Sequence, residues 1–340
     1  MPSSTSNSEP TSLQIPRRAL FTAGLAAGGV ALVTLGAFEV RVRASGFVPE
    51  LRDSPDLWCD ERLRANSLGA RCLALVGTSR FQLGLDPRAL APFFPKHVPI
   101  NLAITGGAAL PVFGDLAADK EFCGTVLCEV MPQSFFDRRL MKASAVPWLA
   151  YAQSRPAASR IEGALRRMVQ RHVAGIQPPL DLRSMLRRAL TNQGGPERPY
   201  FQLRDDRFTE TDYTKTDLNR LLARRIARTR GDAPAPEGRE LAAILETIAE
   251  WCRAIEGRGG RVVFVRMISS LRVREIEDRD FPRAKYWEPL LRVTRVAGVY
   301  DQDLPEVAKL TCPDGSHLDS QQARIFTQAL GAALKARQLT

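Results

Sequence analysis

The sequence predicts an α/β protein in which helices cover both faces of a parallel sheet, with a helical insertion and an apolar N-terminal helix. Short apolar runs that end at turn residues alternate with helical segments, and this alternation is typical of a doubly wound sheet. The clearest run is Cys72–Val76, which ends at Gly77. Such a short, uninterrupted run indicates a strand buried on both faces. We therefore expect a three-layer α/β/α domain.

The alternation of strands and helices continues along the chain from Ser45. Ser54-Pro55 and Gly69 are start and stop signals for the first helix of this domain. The predicted strands are Cys72–Val76, Val98–Ile104, Thr125–Met131, Arg261–Met267 and Gly298–Tyr300. The predicted helices are Asp56–Leu68, Asp86–Phe93, Ala108–Ala118, Arg239–Glu256, one within Pro282–Ala297, and Ser320–Ala336.

An insertion from about residue 133 to residue 257 interrupts the alternation after the third strand. It carries three or four arginine-rich amphipathic helices, separated by turn-rich stretches. Because it leaves the carboxyl end of a strand, we expect it to shape the entrance for a substrate. The basic helix around Arg160–His172 is open to two interpretations, a solvated face or a contact with anionic lipid, and the solvated face is the commoner one.

The N-terminal segment predicts a membrane anchor. Residues 1–18 are rich in Ser, Thr and Pro and are expected to be disordered, whereas residues 19–38 carry no charge. A helix over that apolar stretch would be about 30 Å long, which is enough to cross a bilayer. Arg17-Arg18-Ala19-Leu20-Phe21 also matches a twin-arginine export signal in part.

Cleavage of this segment is not favoured, because the apolar run is long for a signal peptide and Val42-Arg43-Ala44 is a poor cleavage site. We expect an uncleaved, single-pass anchor in the inner (cytoplasmic) membrane with the remaining domain in the periplasm. Arginines stand on both sides of the apolar run, so charge does not decide the orientation.

The net charge of +11 comes from 48 Lys and Arg against 37 Asp and Glu. A basic balance is typical of proteins that bind nucleic acid or anionic lipid. The arginines are spread along the chain, however, and no nucleic-acid recognition motif is present, so we expect no nucleic-acid partner. The six cysteines show no zinc-ligand spacing. We therefore predict no metal site, and we assign no disulfide pairing.

Three loops at carboxyl ends of predicted strands carry the residue types of an ester-cleaving site. Ser79 offers a nucleophilic hydroxyl, His317 an imidazole that can accept its proton, and Asp314 a carboxylate that can hold the imidazole. The backbone N–H groups of Ser79 and Gly106 are candidate donors to an oxyanion, with Gly107 as a close alternative. The loops are Gly77-Thr78-Ser79-Arg80, Thr105-Gly106-Gly107 and Asp314-Gly315-Ser316-His317.

Each of these residues has a plainer interpretation when taken alone. Ser79 could be a turn residue that caps a helix, and His317 a residue at the start of one. Asp314 could only stabilise a turn with Gly315. The glycines of the second loop could only make a tight turn. The three loops together favour catalytic roles for Ser79 and His317.

Two arginines that follow strands, Arg80 and Arg266, are candidates to bind an anionic substrate. Solvated or ion-paired arginines are the commoner meaning of such positions.

The three loops resemble the motifs of the SGNH (GDSL-type) hydrolases and acyltransferases. The Gly-Asp-Ser of that family is matched by Gly77-Thr78-Ser79, and its Asp-x-x-His before the last helix is matched by the loop that ends at His317. The family's glycine after the second strand corresponds to Gly106. Its third-motif asparagine is missing, because the sequence there is Val130-Met131-Pro132-Gln133 and only Gln133 offers a side-chain amide as a further oxyanion donor.

The resemblance covers about residues 44–132 and 258–340, and it implies a flavodoxin-like (SGNH-type) sheet within a domain of residues 44–340. It also implies a serine esterase or O-acyltransferase without a cofactor. The expected substrate is an ester-bearing small molecule or glycan, with acetylated envelope polysaccharide as one candidate, and the expected partner of residues 19–38 is the lipid bilayer. The alternative is a non-catalytic envelope protein with a degenerate SGNH fold that binds a glycan or a protein partner, which the missing asparagine favours. Hydrolysis and acyl transfer are not distinguished by the sequence.

Overall fold

The computed structural model describes residues 16–137, 146–191, 199–229 and 234–339. Residues 1–15 of the expected disordered tail and the turn-rich stretch at 192–196 lie outside the described residues. The chain divides into two compact units. A smaller unit falls within Met1–Pro49 and His172–Pro196, and a larger one within Glu50–Arg171 and Glu197–Thr340.

The larger unit contains a five-stranded parallel sheet, which confirms the mixed α/β class predicted from the sequence. Its strand order is β2-β1-β3-β6-β7, and β4 and β5 form a separate antiparallel hairpin. The strands are β1 (Cys72–Val76), β2 (Val98–Asn101), β3 (Thr125–Glu129), β4 (Phe201–Leu203), β5 (Thr209–Thr211), β6 (Arg261–Arg266) and β7 (Ala297–Tyr300).

Helices account for most of the remaining described residues. In chain order, the helices as far as residue 135 are α1 (Arg17–Ala44), α2 (Pro55–Leu68), α3 (Ser79–Gly84), α4 (Pro87–Leu90), α5 (Ala109–Ala118) and α6 (Pro132–Phe135). The later helices are α7 (Val146–Ser154), α8 (Ala157–His172), α9 (Leu182–Leu190), α10 (Leu218–Thr229), α11 (Gly238–Glu256), α12 (Leu271–Asp280), α13 (Arg283–Thr294) and α14 (Ser320–Ala336).

The apolar runs of the sheet are uninterrupted because each strand contributes to two cores. In β1, Ala74 packs with side chains of α2, α5, α11 and α13 on one face. Leu73 and Leu75 pack with α3, α4 and α14 on the other face. All five residues of β1 are buried, as expected for a strand between two helical layers.

The strand order places a switch point between β1 and β3. From β1 the chain crosses to β2 on one side, and then returns to β3 on the other side of β1. Open parallel sheets bind ligands outside the carboxyl ends of the strands at such a point. The short turn after β1, which leads into Ser79 at the start of α3, lies at this position.

The insertion differs from the expected all-helical segment because it includes the hairpin of β4 and β5. Both strands are only three residues long, so they give no alternating pattern that a sequence could reveal. The buried Arg207 between them pairs with Asp53 and donates to the carbonyls of Asn101 and Ala103. Thr211 donates from its hydroxyl to the carbonyl of Leu318 over 3.1 Å. The hairpin therefore lies against the loops that follow β2 and precede α14.

The smaller unit is organised around α1. This helix begins at Arg17, so Arg17 and Arg18 belong to it rather than to the tail, and its 28 residues are about 42 Å long. Its apolar window has a mean hydropathy of 1.8 and no buried residue, which makes it long and apolar enough to span a membrane. Near its end, the Glu39 carboxylate accepts hydrogen bonds from the N–H groups of Ala174 and Gly175, both over 2.8 Å.

Candidate active site

Ser79 stands at the start of α3, immediately after the turn that ends β1. Gly77 is required in this turn, since a Cβ atom there would lie 2.6 Å from Glu129 Oε2 and 2.8 Å from the Phe81 side chain. The next residue, Thr78, caps α3 by accepting the N–H of Arg80 at Oγ1 over 3.2 Å. Ser79 itself is partly exposed, so its hydroxyl can meet a substrate.

The turn before Ser79 is held to the neighbouring strand by Glu129. This buried carboxylate at the end of β3 accepts the backbone N–H of Thr78 over 2.5 Å and the Thr78 hydroxyl over 3.1 Å. Burial raises the pKa of Glu129, while the bonds from Thr78 and the charge of Arg80 oppose that rise. Glu129 thus fixes the turn before Ser79 from the adjacent strand.

Ser79, His317 and Asp314 form one hydrogen-bonded chain. His317 Nε2 lies 2.8 Å from Ser79 Oγ, and His317 Nδ1 lies 2.9 Å from Asp314 Oδ2. Both distances are within the range that proton transfer between a nucleophile and its base requires. The fold therefore brings together two loops that are 238 residues apart in sequence. We call these three residues the triad.

The loop that carries His317 is shaped by Asp314. The Asp314 Oδ1 atom accepts the backbone N–H of Ser316 over 2.9 Å and that of His317 over 2.8 Å. Gly315 has a positive φ of 81°, and a Cβ there would lie 2.7 Å from the Val273 side chain. A glycine is needed at this position for both reasons. Asp314 therefore positions the imidazole and also stabilises the turn, so its two sequence interpretations are compatible.

The electrostatics of the triad favour a neutral imidazole beside an ionised carboxylate. Burial lowers the pKa of His317, and the nearby charges of Arg225 and Arg80 lower it further, against the opposing effect of Asp314. Burial would raise the pKa of Asp314, but the hydrogen bond and charge of His317 and the charge of Arg225 bring it below its ordinary value. At neutral pH His317 can therefore act as a base while Asp314 keeps its charge.

Arg225 is a contact of the triad that the sequence did not indicate. It lies on α10 within the insertion, and its Nε donates to Asp314 Oδ2 over 3.1 Å. Nothing in the sequence separates it from its neighbours, because α10 carries Arg220, Arg224, Arg225 and Arg228. Only the packing of α10 against the loop before α14 selects Arg225.

Arg80 and Arg266 are both buried and paired with one carboxylate, that of Glu277 on α12. Arg80 donates to Glu277 from both terminal nitrogens, over 2.5 and 3.3 Å, and Arg266 also donates to it. Burial raises the pKa of Glu277, but the two arginines bring it well below its ordinary value. Both arginines are thus ion-paired inside the protein, the commoner of the two interpretations of these positions, and the binding of an anionic substrate by them stays a prediction.

Glu277 connects the loops at the carboxyl end of the sheet. Besides the two arginines, it accepts the Ser269 hydroxyl over 2.7 Å and the Gln133 amide over 2.8 Å. Arg80 in turn donates from Nε to the hydroxyl of Ser316 in the triad loop over 3.0 Å. In the sequence, Glu277 stands in a run of charged residues. The one indication that it is buried is its helical spacing from Val273 and Ile276, which are also buried.

The Gln133 amide uses one of its two N–H groups on Glu277, and its role as a further oxyanion donor in place of the missing asparagine stays a prediction.

The two glycines after β2 differ in the use of their backbone N–H groups. Gly107 donates to the carbonyl of Ile104 over 2.9 Å, whereas within the described residues no hydrogen bond from the Gly106 or Ser79 N–H is found. The two loops are close because Ile104 donates to the carbonyl of Gly77 over 3.0 Å. Ser79 lies two residues after Gly77, and Gly106 lies two residues after Ile104, so this hydrogen bond holds the two loops side by side.

Thr105 ties the Gly106 loop to α3. Its N–H and hydroxyl both donate to Gln82 Oε1, over 3.1 and 2.7 Å. The Gln82 amide in turn donates to Asp53, which also accepts from Arg207 of the hairpin. This chain of contacts fixes the second loop next to the first turn of α3.

The part of the chain that the structure describes contains no group of three or more His, Cys, Asp or Glu side chains arranged to hold a metal ion. The prediction that the protein uses no cofactor stays a prediction. All six cysteines are free thiols, and five of them are buried.

A comparison with protein-family models finds no match to this chain, and a comparison with curated proteins finds none either.

Proposed function

We propose that the protein is a serine esterase or O-acyltransferase that acts through Ser79, His317 and Asp314. The observation that carries this proposal is the continuous chain from Ser79 Oγ through both nitrogens of His317 to Asp314 Oδ2, over 2.8 and 2.9 Å. The partial exposure of Ser79 beside a buried base and a buried carboxylate supports it further.

In the proposed reaction Ser79 Oγ attacks the carbonyl carbon of an ester, and its proton passes to His317 Nε2. The oxyanion that forms is stabilised by the N–H groups of Ser79 and Gly106. The carbon–oxygen bond to the alcohol then breaks, and His317 returns its proton to the leaving oxygen. The acyl group remains on Ser79 as an ester. Water or an acceptor hydroxyl, deprotonated by His317, attacks that ester and releases Ser79.

We also propose that the chain is a divergent SGNH-type protein with a flavodoxin-like sheet. Three features support this proposal: the strand order β2-β1-β3-β6-β7, the nucleophile after β1, and an Asp-x-x-His loop before the last helix. The order corresponds to 2-1-3-4-5 when only the parallel strands are counted, which is the flavodoxin-like order. The missing third-motif asparagine leaves two proposed oxyanion donors, Ser79 and Gly106.

The alternative, a non-catalytic binding protein, is favoured by the missing asparagine. The catalytic proposal is preferred because a site kept only for binding has no requirement for a hydroxyl, an imidazole and a carboxylate in hydrogen-bonded series.

A serine-reactive fluorophosphonate probe on the full-length chain in detergent tests the activity. We expect labelling of the unmodified chain and loss of labelling in Ser79→Ala and His317→Ala. Ser154→Ala is the matched control, because Ser154 is an exposed serine on α7 and its loss should leave labelling intact. An unlabelled wild-type chain would favour the binding protein.

We further propose that α1 anchors the protein in the inner membrane, with the larger unit in the periplasm. The length and apolar surface of α1 support the anchor, and the expected ester substrates of the envelope support the orientation. A C-terminal reporter that is active only in the cytoplasm should remain silent. A reporter that becomes active would contradict the proposed orientation.

A further inference from the structure

The helix α9 has an apolar face that no part of the described chain covers. Leu186 is 54% exposed and Leu190 is 86% exposed, the highest value among the large apolar side chains of the described residues. Met185 is also exposed. With 100° between successive residues, these three side chains and Ala189 fall on one side of the helix. A soluble surface seldom exposes such a contiguous apolar stripe without a partner.

The remainder of the α9 surface is basic. It carries Arg183, Arg187 and Arg188, and residues 182–191 contain no Asp or Glu. Arg183 and Arg187 border the apolar stripe. Their alkyl stems can therefore lie along an apolar surface while their guanidinium groups bind anions at its polar edge. An apolar face flanked by arginines is the pattern of a helix that lies in a membrane interface.

The position of α9 in the smaller unit points to the same partner. Leu180 lies two residues before α9 and packs on a cluster of Val42, Phe47 and Ala174. Val42 belongs to the last turn of α1. The side chain of Asp181 then caps α9 by accepting the N–H of Ser184 over 2.7 Å. α9 therefore starts beside the end of the helix that is apolar enough to cross a bilayer.

We propose that α9 lies in the membrane interface, with Leu186 and Leu190 among the acyl chains and with Arg183 and Arg187 on anionic headgroups. This inference rests on the proposed anchor α1, and it adds a second contact with the lipid surface. A second copy of the chain fits this face less well. A symmetric contact would bring the same arginines together, with no acidic partner on the helix.

A photo-crosslinking amino acid in place of Leu190 tests the contact in the full-length chain, reconstituted in nanodiscs that contain phosphatidylglycerol. We expect lipid adducts at position 190 and none when the same probe replaces Ala332, an exposed residue of α14. Leu186→Glu should abolish the adduct at 190. Ser184→Glu adds the same charge to the polar side of the same helix and should leave the adduct in place.

Absence of a lipid adduct at position 190, or a covalent dimer of the chain in its place, would overturn the proposal. Equal adducts with Leu186→Glu and Ser184→Glu would also overturn it, because the apolar face would then be irrelevant. The contribution of the arginines is tested with the double variant Arg183→Gln/Arg187→Gln. Its yield of lipid adduct should drop to the yield seen in phosphatidylcholine discs. Alkaline extraction of native membranes examines α1 separately. Release of a chain that still forms the adduct would end the anchor proposal and leave the α9 contact standing.

Discussion

Arg225 donates a hydrogen bond to Asp314 Oδ2 over 3.1 Å, and the same oxygen faces His317 Nδ1 over 2.9 Å. The two residues come from different parts of the chain, since Arg225 lies in the insertion and Asp314 in the loop before α14. Leu222, one turn earlier on α10, also approaches this loop, where a Cβ at Gly315 would lie 3.1 Å from it. The insertion therefore reaches the carboxylate of the triad directly.

This contact predicts a change in the pH profile of Arg225→Gln. His317 must be neutral to accept a proton, so kcat/KM should rise with pH through its pKa. The charge of Arg225 lowers the pKa of His317, and its removal should move the acid limb to higher pH. Above that limb, the loss in kcat/KM should stay near the effect of one hydrogen bond, about 1 kcal/mol or roughly fivefold.

The matched control is Arg224→Gln, which removes the same charge from the adjacent, exposed position. Its acid limb should stay close to that of the wild type. A limb that moves equally in both variants would mean that net charge, and not the bond to Asp314, sets the profile.

The triad predicts strong non-additivity between Ser79→Ala and His317→Ala. Each change should lower kcat by a factor on the order of 10⁴ or more, because the hydroxyl and its base act as one unit. The double variant should then lose little beyond either single one. Ester hydrolysis by the three variants measures this directly. Losses that multiply in the double variant would show that the two residues act independently.

The sequence was sufficient to predict the sheet and the proximity of the three triad residues, because their signals are local, while the catalytic roles of these residues stay a prediction. Strands buried on both faces appear as continuous apolar runs, and Ser79 and His317 occupy loops next to such elements. Three strands are shorter than predicted, since the apolar pattern continues beyond the ladder into the loops that carry the site. The Ser320–Ala336 helix was predicted with its observed bounds.

The residues that surround the triad could not be predicted, because their roles depend on contacts between distant segments. Arg225 is one of four similar arginines on its helix, and Glu277 stands among other charged residues in the Leu271–Asp280 helix. That helix is rich in charge, so its apolar stripe of Val273 and Ile276 gave no signal strong enough to predict it. The β4–β5 hairpin was missed for the same reason, as its strands are too short for periodicity.

Glu277→Gln should destabilise the protein by about 3–5 kcal/mol, since it leaves the buried Arg80 and Arg266 without a carboxylate. The pKa of Glu277 is lower in the folded protein than in the unfolded chain. Its contribution to the free energy of unfolding is therefore present above the pKa of the unfolded chain and is lost as the pH falls through the pKa of the folded protein. The difference in the free energy of unfolding between the wild type and Glu277→Gln should therefore become smaller only at strongly acidic pH. Urea unfolding at neutral and acidic pH measures both effects.

Glu275→Gln is the control for this change, because Glu275 lies on the same helix with an exposed side chain and a surface ion pair to Arg272. Surface pairs of this kind contribute little to stability. Similar losses in the two variants would contradict the structural role assigned to the buried cluster.

The assignment of the oxyanion donor predicts different outcomes for two glycines with the same backbone strain. Gly106 and Gly259 have positive φ angles of 74° and 84°, and a Cβ at either would meet no atom within 4 Å. Replacement by Ala should cost each about 1–2 kcal/mol of stability. Gly259 lies before the amino end of β6, away from the site, so Gly259→Ala should leave kcat unchanged. Gly106→Ala displaces the Gly106 N–H and should lower kcat by a factor of about 10²–10³. Thermal unfolding and ester hydrolysis of Gly106→Ala and Gly259→Ala provide the comparison. If both variants kept wild-type kcat, the Gly106 N–H would not be a donor to the oxyanion.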